Sequence, residues 1–471
     1  MHHDRRTPGE HSCLPRRAPR GPRRRAVLTG VLLVLARAAA AVGAGQPPLV
    51  APAAGALASG AQHGDLAPAP VQPPPPPTPL ATLVAELEQR NPQVLAARQA
   101  WKAAREMPSQ VATLPDPQLN LQQVSVGSPV PFAGYTTSEF AYAGIGVSQD
   151  LPYPGKLRLR GEIAEREAAA AADRAEAVRR SAVEQLKVTY IRLSYLQQTL
   201  GILERDGALL AEIAEFADAR YRVGQGSQQD VLRAQLERTK LLREIEMHHR
   251  ELAGLEARLE QLLDRPPGSP DLATEPLSET ALPAGAGDLP AGAPARNPEV
   301  AAAQEAARKQ GLQVDLARKD FYPDFNLQYM WQRTDPVKFR AYYMVTLGVR
   351  LPLHRLRRQQ PELAQSVAEL ERSQRDYEAA VQQTCFDVRD QLAAAASASR
   401  LLAIYRGGLL PQAGAAFEAV LAAYRTGRQD LATLLASFSD LLKLDVEYWN
   451  TLADHETALA RLERLRGGTP P

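Results

Sequence analysis

The side chains best suited to metal ligation or nucleophilic attack are sparse and scattered in this 471-residue sequence, which holds eight histidines and two cysteines. His2, His3, His11 and Cys13 crowd the start of the chain, and His63 lies in the Pro- and Ala-rich stretch that follows. His248, His249, His354 and His455 make no ligand spacing with a cysteine or with nearby carboxylates. His248 and His455 instead fall on hydrophobic stripes, where a packed structural histidine is expected. Cys385 is a single thiol on a long helical stretch and reads as packed. A disulfide framework, a Cys-rich metal site and an iron–sulfur cluster are excluded for one chain. No Gly-x-Ser-x-Gly element or phosphate-cradling loop is present. The sequence therefore predicts no enzyme, no cofactor and no metal site.

The chemistry that remains is electrostatic. Two very long helical stretches end in Tyr221-Arg-Val-Gly224 and Tyr424-Arg-Thr-Gly427, where glycine suits a left-handed helix cap. Asp230 and Asp430 follow, at the starts of the returning helices, where an acid complements the helix dipole. Capping is one reading of both acids. The other arises if copies of the chain assemble about an axis, because each acid then repeats as a ring that attracts cations and impedes anions. The second copy has three fewer residues between its Gly and Asp, so Asp430 matches less securely. Asp440 and Asp445 are further acids on the last helix, of undetermined direction.

The elements that position these turns come from a duplication. Arg90-Asn91-Pro92 recurs as Arg296-Asn297-Pro298, an offset of about 206. At that offset Leu119-Asn120-Leu121-Gln122 meets Phe325-Asn326-Leu327-Gln328, and Pro117 meets Pro323. The Tyr-x-x-Gly turns match at about 203. Gln229-Asp230 meets Gln429-Asp430 at about 200, and Leu252, Leu259 and Leu262 then fall on Leu452, Leu459 and Leu462. The copies run over residues 80–265 and 295–466, joined by a Pro-, Ala- and Gly-rich connector at 266–294, with a tail at 467–471.

Each copy predicts a helix (81–112; 295–319), two short strands, a very long helix (156–222; 355–425) and a last helix (229–264; 429–466). At 1.5 Å per residue the long helices reach roughly 100 Å. The last helices carry apolar residues at alternating spacings of three and four, a coiled-coil stripe. Among the strands, Phe325, Leu327, Tyr329 and Trp331 alternate with Asn326, Gln328, Met330 and Gln332, while Tyr343, Val345, Leu347, Val349 and Leu351 alternate with Met344, Thr346, Gly348 and Arg350. The first strand slips its pattern near Gln123, which reads as a bulge, and its partner runs from about residue 140 to 150. Strands apolar on one side and polar on the other suit a lipid-facing, water-lined barrel, with a soluble sandwich as the rival reading.

The chain also carries an address. Nine arginines in residues 1–44 face only Asp4 and Glu10, and Arg23-Arg24-Arg25 precedes a short apolar run and then small residues. That order is a secretory signal over residues 1–44, too short to span a bilayer, followed by an extended lead at 45–79. Beyond the signal 46 basic and 51 acidic residues remain, so no nucleic-acid partner is expected. Four strands cannot close within lipid. Two chains would give eight strands filled by side chains, and three would give twelve around a lumen.

The duplicated plan, the Asn-Pro openings, the Pro-Asp-Pro-x-Leu and Tyr-Pro-Asp-Phe approaches to the strands and the Tyr-x-x-Gly turns together resemble the TolC-like outer-membrane efflux family. That resemblance implies a mainly α fold with a small β contribution, a homotrimeric twelve-stranded barrel in outer-membrane lipid, and an α-helical periplasmic tunnel. It also implies a periplasmic adaptor (membrane fusion) protein and an inner-membrane pump as partners. By position it makes Tyr221, Val223, Gly224, Tyr424, Thr426 and Gly427 adaptor-docking candidates, and Asp230 and Asp430 candidates for the periplasmic entrance. Residues 147–160 resemble the branch that serves heavy-metal cation pumps. The competing class is a soluble periplasmic coiled-coil adaptor or spacer, which accounts for the heptads but not for matching hairpins in both copies.

Overall fold

Proline and asparagine set the first break in the chain. Asn91 stops α1 (Leu80–Arg90) and caps α2 (Pro92–Ala112), accepting hydrogen bonds from the N–H groups of Gln93 (3.0 Å) and Val94 (3.1 Å). Pro92, which has no N–H to lose, starts the new helix. The expected single helix over 81–112 is thus two. Strands β1 (Gln118–Val124) and β2 (Tyr142–Leu151) follow, then α3 (Lys156–Arg222) and α4 (Gln228–Leu263). The connector ends in a short turn of helix α5 (Leu289–Gly292), and the second copy opens with α6 (Pro298–Lys319), capped by Asn297. Strands β3 (Asp324–Thr334) and β4 (Arg340–Arg350) come next. Helix α7 (Gln359–Ile404) is joined through a π turn at Tyr405–Leu409 to α8 (Leu410–Arg425), and α9 (Leu431–Arg466) closes the copy.

This computed structural model describes residues 77–124, 142–270, 272–282, 289–334 and 340–466. The signal, nearly all of the lead and the tail lie outside the described residues, as do Cys13 and the first four histidines.

The element bounds correct the repeat alignment. Helix α3 spans 156–222 and its counterpart 359–425, a shift of 203 at both ends; α4 and α9 are each 36 residues long and again shifted by 203. The offset of 200 expected for the last helix is an artefact of its stripe. A pattern of threes and fours resembles itself after a slide of three.

The four strands form one antiparallel sheet in the order β1-β2-β3-β4, so the two hairpins join through β2 and β3. Register sorts the faces into rows. Leu119, Val147, Tyr329 and Val345 line up on one face, as do Leu121, Ile145, Trp331 and Tyr343. The other face carries the rows Gln118–Ser148–Gln328–Thr346 and Gln122–Gly144–Gln332–Tyr342. There is no bulge at Gln123: it pairs with Ala143 in unbroken register. Its row continues through Arg333 and Ala341, on the apolar face but past its apolar part. The slip in the pattern is therefore the upper limit of the apolar band.

The three shorter helices of copy 1 lie along its long one. Near the sheet α2 packs so closely on α3 that a Cβ at Gly161 would meet the Ala112 Cβ at 3.1 Å. Midway Leu83, Leu87, Leu186, Leu259 and Leu262 share a core, and at the far end Leu210, Leu241, Phe417, Leu434 and Phe438 share another. Close to the sheet the helices neighbour one another in the order α2, α3, α6, α7; further out the order is α4, α3, α9, then α7 and α8. At each level copy 1 supplies one edge and copy 2 the other, just as β1 and β4 edge the sheet.

Candidate functional site

The shaft ends in two turns of matching geometry. Gly224 and Gly427 take φ of 76° and 73°, and their N–H groups donate to the carbonyls of Tyr221 and Tyr424, both at 3.0 Å. A residue with a Cβ is strained there, which explains glycine at both. Tyr221, Val223, Gly224, Thr426 and Gly427 are exposed, and the Thr426 hydroxyl donates back to Ala423 O (3.0 Å). Tyr424 differs, being only 5 % exposed. Its ring packs edge-on to Phe216 (5.6 Å) within the tip core and lies under the guanidinium of Arg220 at 5.3 Å. Arg220 also donates to the carbonyls of Tyr424 (3.4 Å) and Gln225 (3.3 Å), so one arginine fastens the two turns together.

The two acids occupy different places. Asp230 is the third residue of α4: its N–H donates to Ser227 Oγ (3.1 Å), and its carboxylate accepts from the Ser227 N–H (3.3 Å), a capping box. Asp430 immediately precedes α9 and accepts from the N–H and hydroxyl of Thr433. With the offset of 203, Asp430 stands where Ser227 stands in copy 1, and Thr433 stands where Asp230 does. The sequence match of the two aspartates is therefore not a structural one. The Thr433 hydrogen bond holds the Asp430 carboxyl below its ordinary range. Asp430 is exposed and Asp230 is half-buried. Asp440 is exposed as well, whereas Asp445 is half-buried 3.7 Å from Arg205, and burial pushes its carboxyl up.

Three features of the shaft were not read from sequence. The first is a girdle. The connector crosses α3, where Ser194 Oγ donates to Glu275 O (2.9 Å) and the Glu275 N–H donates to Tyr190 Oη (2.8 Å). It then reaches α9, where the Thr280 N–H donates to Glu456 (2.8 Å) and buried His455 lies between Thr280 O (2.9 Å) and Ala395 O (3.0 Å). His455 is thus structural, as its place on the stripe suggested.

The second is the π turn. Pro411 lacks the N–H that would satisfy the carbonyl four residues back, and Gly407-Gly408 weakens the helix there. Arg406 holds the turn by pairing with Glu279 of the girdle (2.9 Å) and donating to Tyr448 Oη (3.0 Å).

The third is a clasp between the copies at the sheet. Lys156, only 3 % exposed, pairs with Asp320 and Asp324, both at 2.9 Å. Asp324 also accepts from the Tyr153 N–H (2.8 Å), and Tyr153 stacks on Tyr322 at 4.6 Å. Gly155, at φ 88°, lets the chain turn tightly beside Lys319. The center of the 147–160 stretch is therefore a joint between copies.

The sequence profile of the outer membrane efflux protein family matches residues 83–264 and 289–468. The chain belongs to the outer membrane efflux protein family. Among solved structures, the fold is similar to the CusC transmembrane channel (19 % identity, covering 83 % of this chain and 92 % of that one, TM-score 0.72). It is likewise similar to VceC of Vibrio cholerae (18 %, 83 % and 96 %, TM-score 0.72) and to the MtrE outer membrane channel of Neisseria gonorrhoeae (19 %, 83 % and 89 %, TM-score 0.71). Comparison with curated proteins gives no match. The family's members are channels rather than enzymes. This chain is an outer-membrane efflux duct, its strands in the membrane and its helical shaft in the periplasm. Among the described residues no helix is long and apolar enough to cross a membrane.

Proposed function

We propose that three copies of the chain close head to tail into a twelve-stranded barrel prolonged by a tunnel of helices. In this reading the tunnel is the exit duct of a tripartite efflux system, receiving substrate from an inner-membrane pump through a periplasmic adaptor. The observation that carries this is the unclosed sheet, whose exposed edges β1 and β4 come from opposite copies, with the helix layers ending in the same way. An open edge in hydrocarbon leaves backbone groups without partners. Three chains are the smallest ring that leaves a lumen. The exposed turn residues Tyr221, Val223, Gly224, Thr426 and Gly427 form the surface offered to the adaptor, with Tyr424 supporting them from inside.

Asp230 and Asp430, repeated three times, line the entrance as six carboxylates and favour cations. Heavy-metal cations as cargo are supported by this charge and by the resemblance of residues 147–160. Conductance of the purified channel in planar bilayers tests the entrance: Asp230→Ala should lower the cation/anion permeability ratio, and an unaltered ratio refutes the role. Metal sensitivity of a deletion strain tests the cargo.

A further inference from the structure

The turn between β4 and α7 is unlike any other surface of the shaft. Leu353 and Leu356 are each 80 % exposed, more than any other large hydrophobic among the described residues. His354, Arg355, Arg357 and Arg358 surround them and are also exposed. None of the three arginines has an ion-pair partner among the described residues. The turn is nevertheless ordered by its backbone, the N–H groups of Arg357 and Arg358 donating to His354 O at 3.1 and 2.9 Å.

Its height is set by the sheet. Tyr343, Val345, Leu347 and Val349 are the exposed outward positions of β4, Leu351 lies just past its end, and the chain then turns, the Leu353 N–H donating to Leu351 O at 3.0 Å. Eight residue steps from Tyr343 to Leu351 cover about 27 Å along an extended chain. At a tilt of about 40° that is a height of about 21 Å, most of the roughly 25 Å of a barrel's apolar band. The turn with Leu353 and Leu356 thus lies at the periplasmic end of the band, and the arginines stand at headgroup level. In copy 1 the corresponding turn has no arginine before Lys156, and its Tyr153 and Lys156 are packed into the clasp.

We propose that residues 353–358 form a site for anionic phospholipid headgroups in the periplasmic leaflet. Leu353 and Leu356 seat among the acyl chains, and Arg355, Arg357 and Arg358 bind the phosphates. The inference rests on the strands crossing the outer membrane. The competing occupant is the neighbouring copy, whose residues 113–123 would face this turn. That stretch holds one acid, Asp116, too little to neutralise three arginines.

The test is native mass spectrometry of the full-length channel in detergent, with phosphatidylglycerol or phosphatidylcholine added. Each arginine beside an anionic surface contributes about fivefold. The R355Q/R357Q/R358Q variant should therefore lose tenfold or more of the preference for phosphatidylglycerol, while the triple lysine variant keeps it. The L353S/L356S variant should hold both lipids less well. Unchanged phosphatidylglycerol retention in the glutamine variant overturns the site. So does dissociation of that variant into single chains in both lipids, which assigns the arginines to Asp116 of the neighbour. Displacement of the lipid by millimolar inorganic phosphate also overturns it, marking a free-anion site. A protein that never enters lipid vesicles breaks the membrane reading instead.

Discussion

The two copies spend matching lengths of chain on different structures. Helix α3 runs 67 residues without interruption, whereas its counterpart is divided by the π turn at Tyr405–Leu409. At the sheet, copy 1's return turn is locked by Lys156 into copy 2, while copy 2's return turn is exposed, leucine-tipped and basic. Copy 1 is the fixed member and copy 2 carries the irregular features. A duplicated fold allows this because one copy can hold the architecture while the other departs from ideal geometry.

Breaking the locked side should have the largest effect. Lys156→Met leaves Asp320 and Asp324 without their cation, and removing one partner of a buried pair costs roughly 3–5 kcal/mol, here at the lower end because both acids retain contact with water. The thermal midpoint of the purified channel should fall by several degrees, and an unchanged midpoint would mean the clasp is decorative. On the irregular side, Arg406→Gln frees the π turn from Glu279 and Tyr448. Hydrogen exchange should then rise around residues 404–411 and leave residues 201–208 of α3 unaffected. Equal changes in both segments would erase the contrast between the copies.

Smaller effects follow from titration. Hydrogen bonds from Arg179, with Arg180 adding to them against burial, pull the Glu176 carboxyl from its ordinary 4.5 to about 2. Its stabilising effect is complete above pH 4.5 and is lost as pH falls through that window toward 2. Glu176→Gln should therefore lower the thermal midpoint at pH 7 and flatten its decline between pH 4.5 and 2. Asp445 has the opposite sign: burial raises its carboxyl, so the ionised form is a cost at neutral pH. Asp445→Asn should raise the midpoint slightly at pH 7, a gain that shrinks as pH falls toward 3.8; a lowered midpoint would show that the Arg205 pair dominates.

Much of this was legible in the sequence, for physical reasons. Long periodic helices declare themselves, so α3 was placed to the residue, and the strand rows followed from alternation of Leu327, Tyr329 and Trp331 with polar neighbours. The misreadings share a cause as well. A stripe of threes and fours does not fix its own frame, which misaligned α9 and paired Asp430 with Asp230 instead of Ser227. The polar outward row at Gln123 looked like a bulge because one strand alone cannot reveal where an apolar band ends. The girdle and the clasp join residues some 80 to 180 positions apart, and the tight packing of Tyr424 depends on Phe216 from the other copy. No local pattern records such pairings.

The central claim is that β4 of one chain pairs with β1 of the next in the relation that β2 and β3 already have within a chain. Val147 pairs with Tyr329, and Gln149 with Leu327. Carrying that relation forward by one repeat sets Val349 opposite Gln123 of the neighbouring copy, and Leu351 opposite its Leu121. Oxidation of a V349C/Q123C variant in outer membranes, with Cys385 replaced by Ser, measures this directly. The account predicts a ladder of disulfide-linked dimers and trimers on non-reducing gels, absent from a V349C/L119C control four residues out of register. A product that stays monomeric, or equal ladders from both variants, would contradict it.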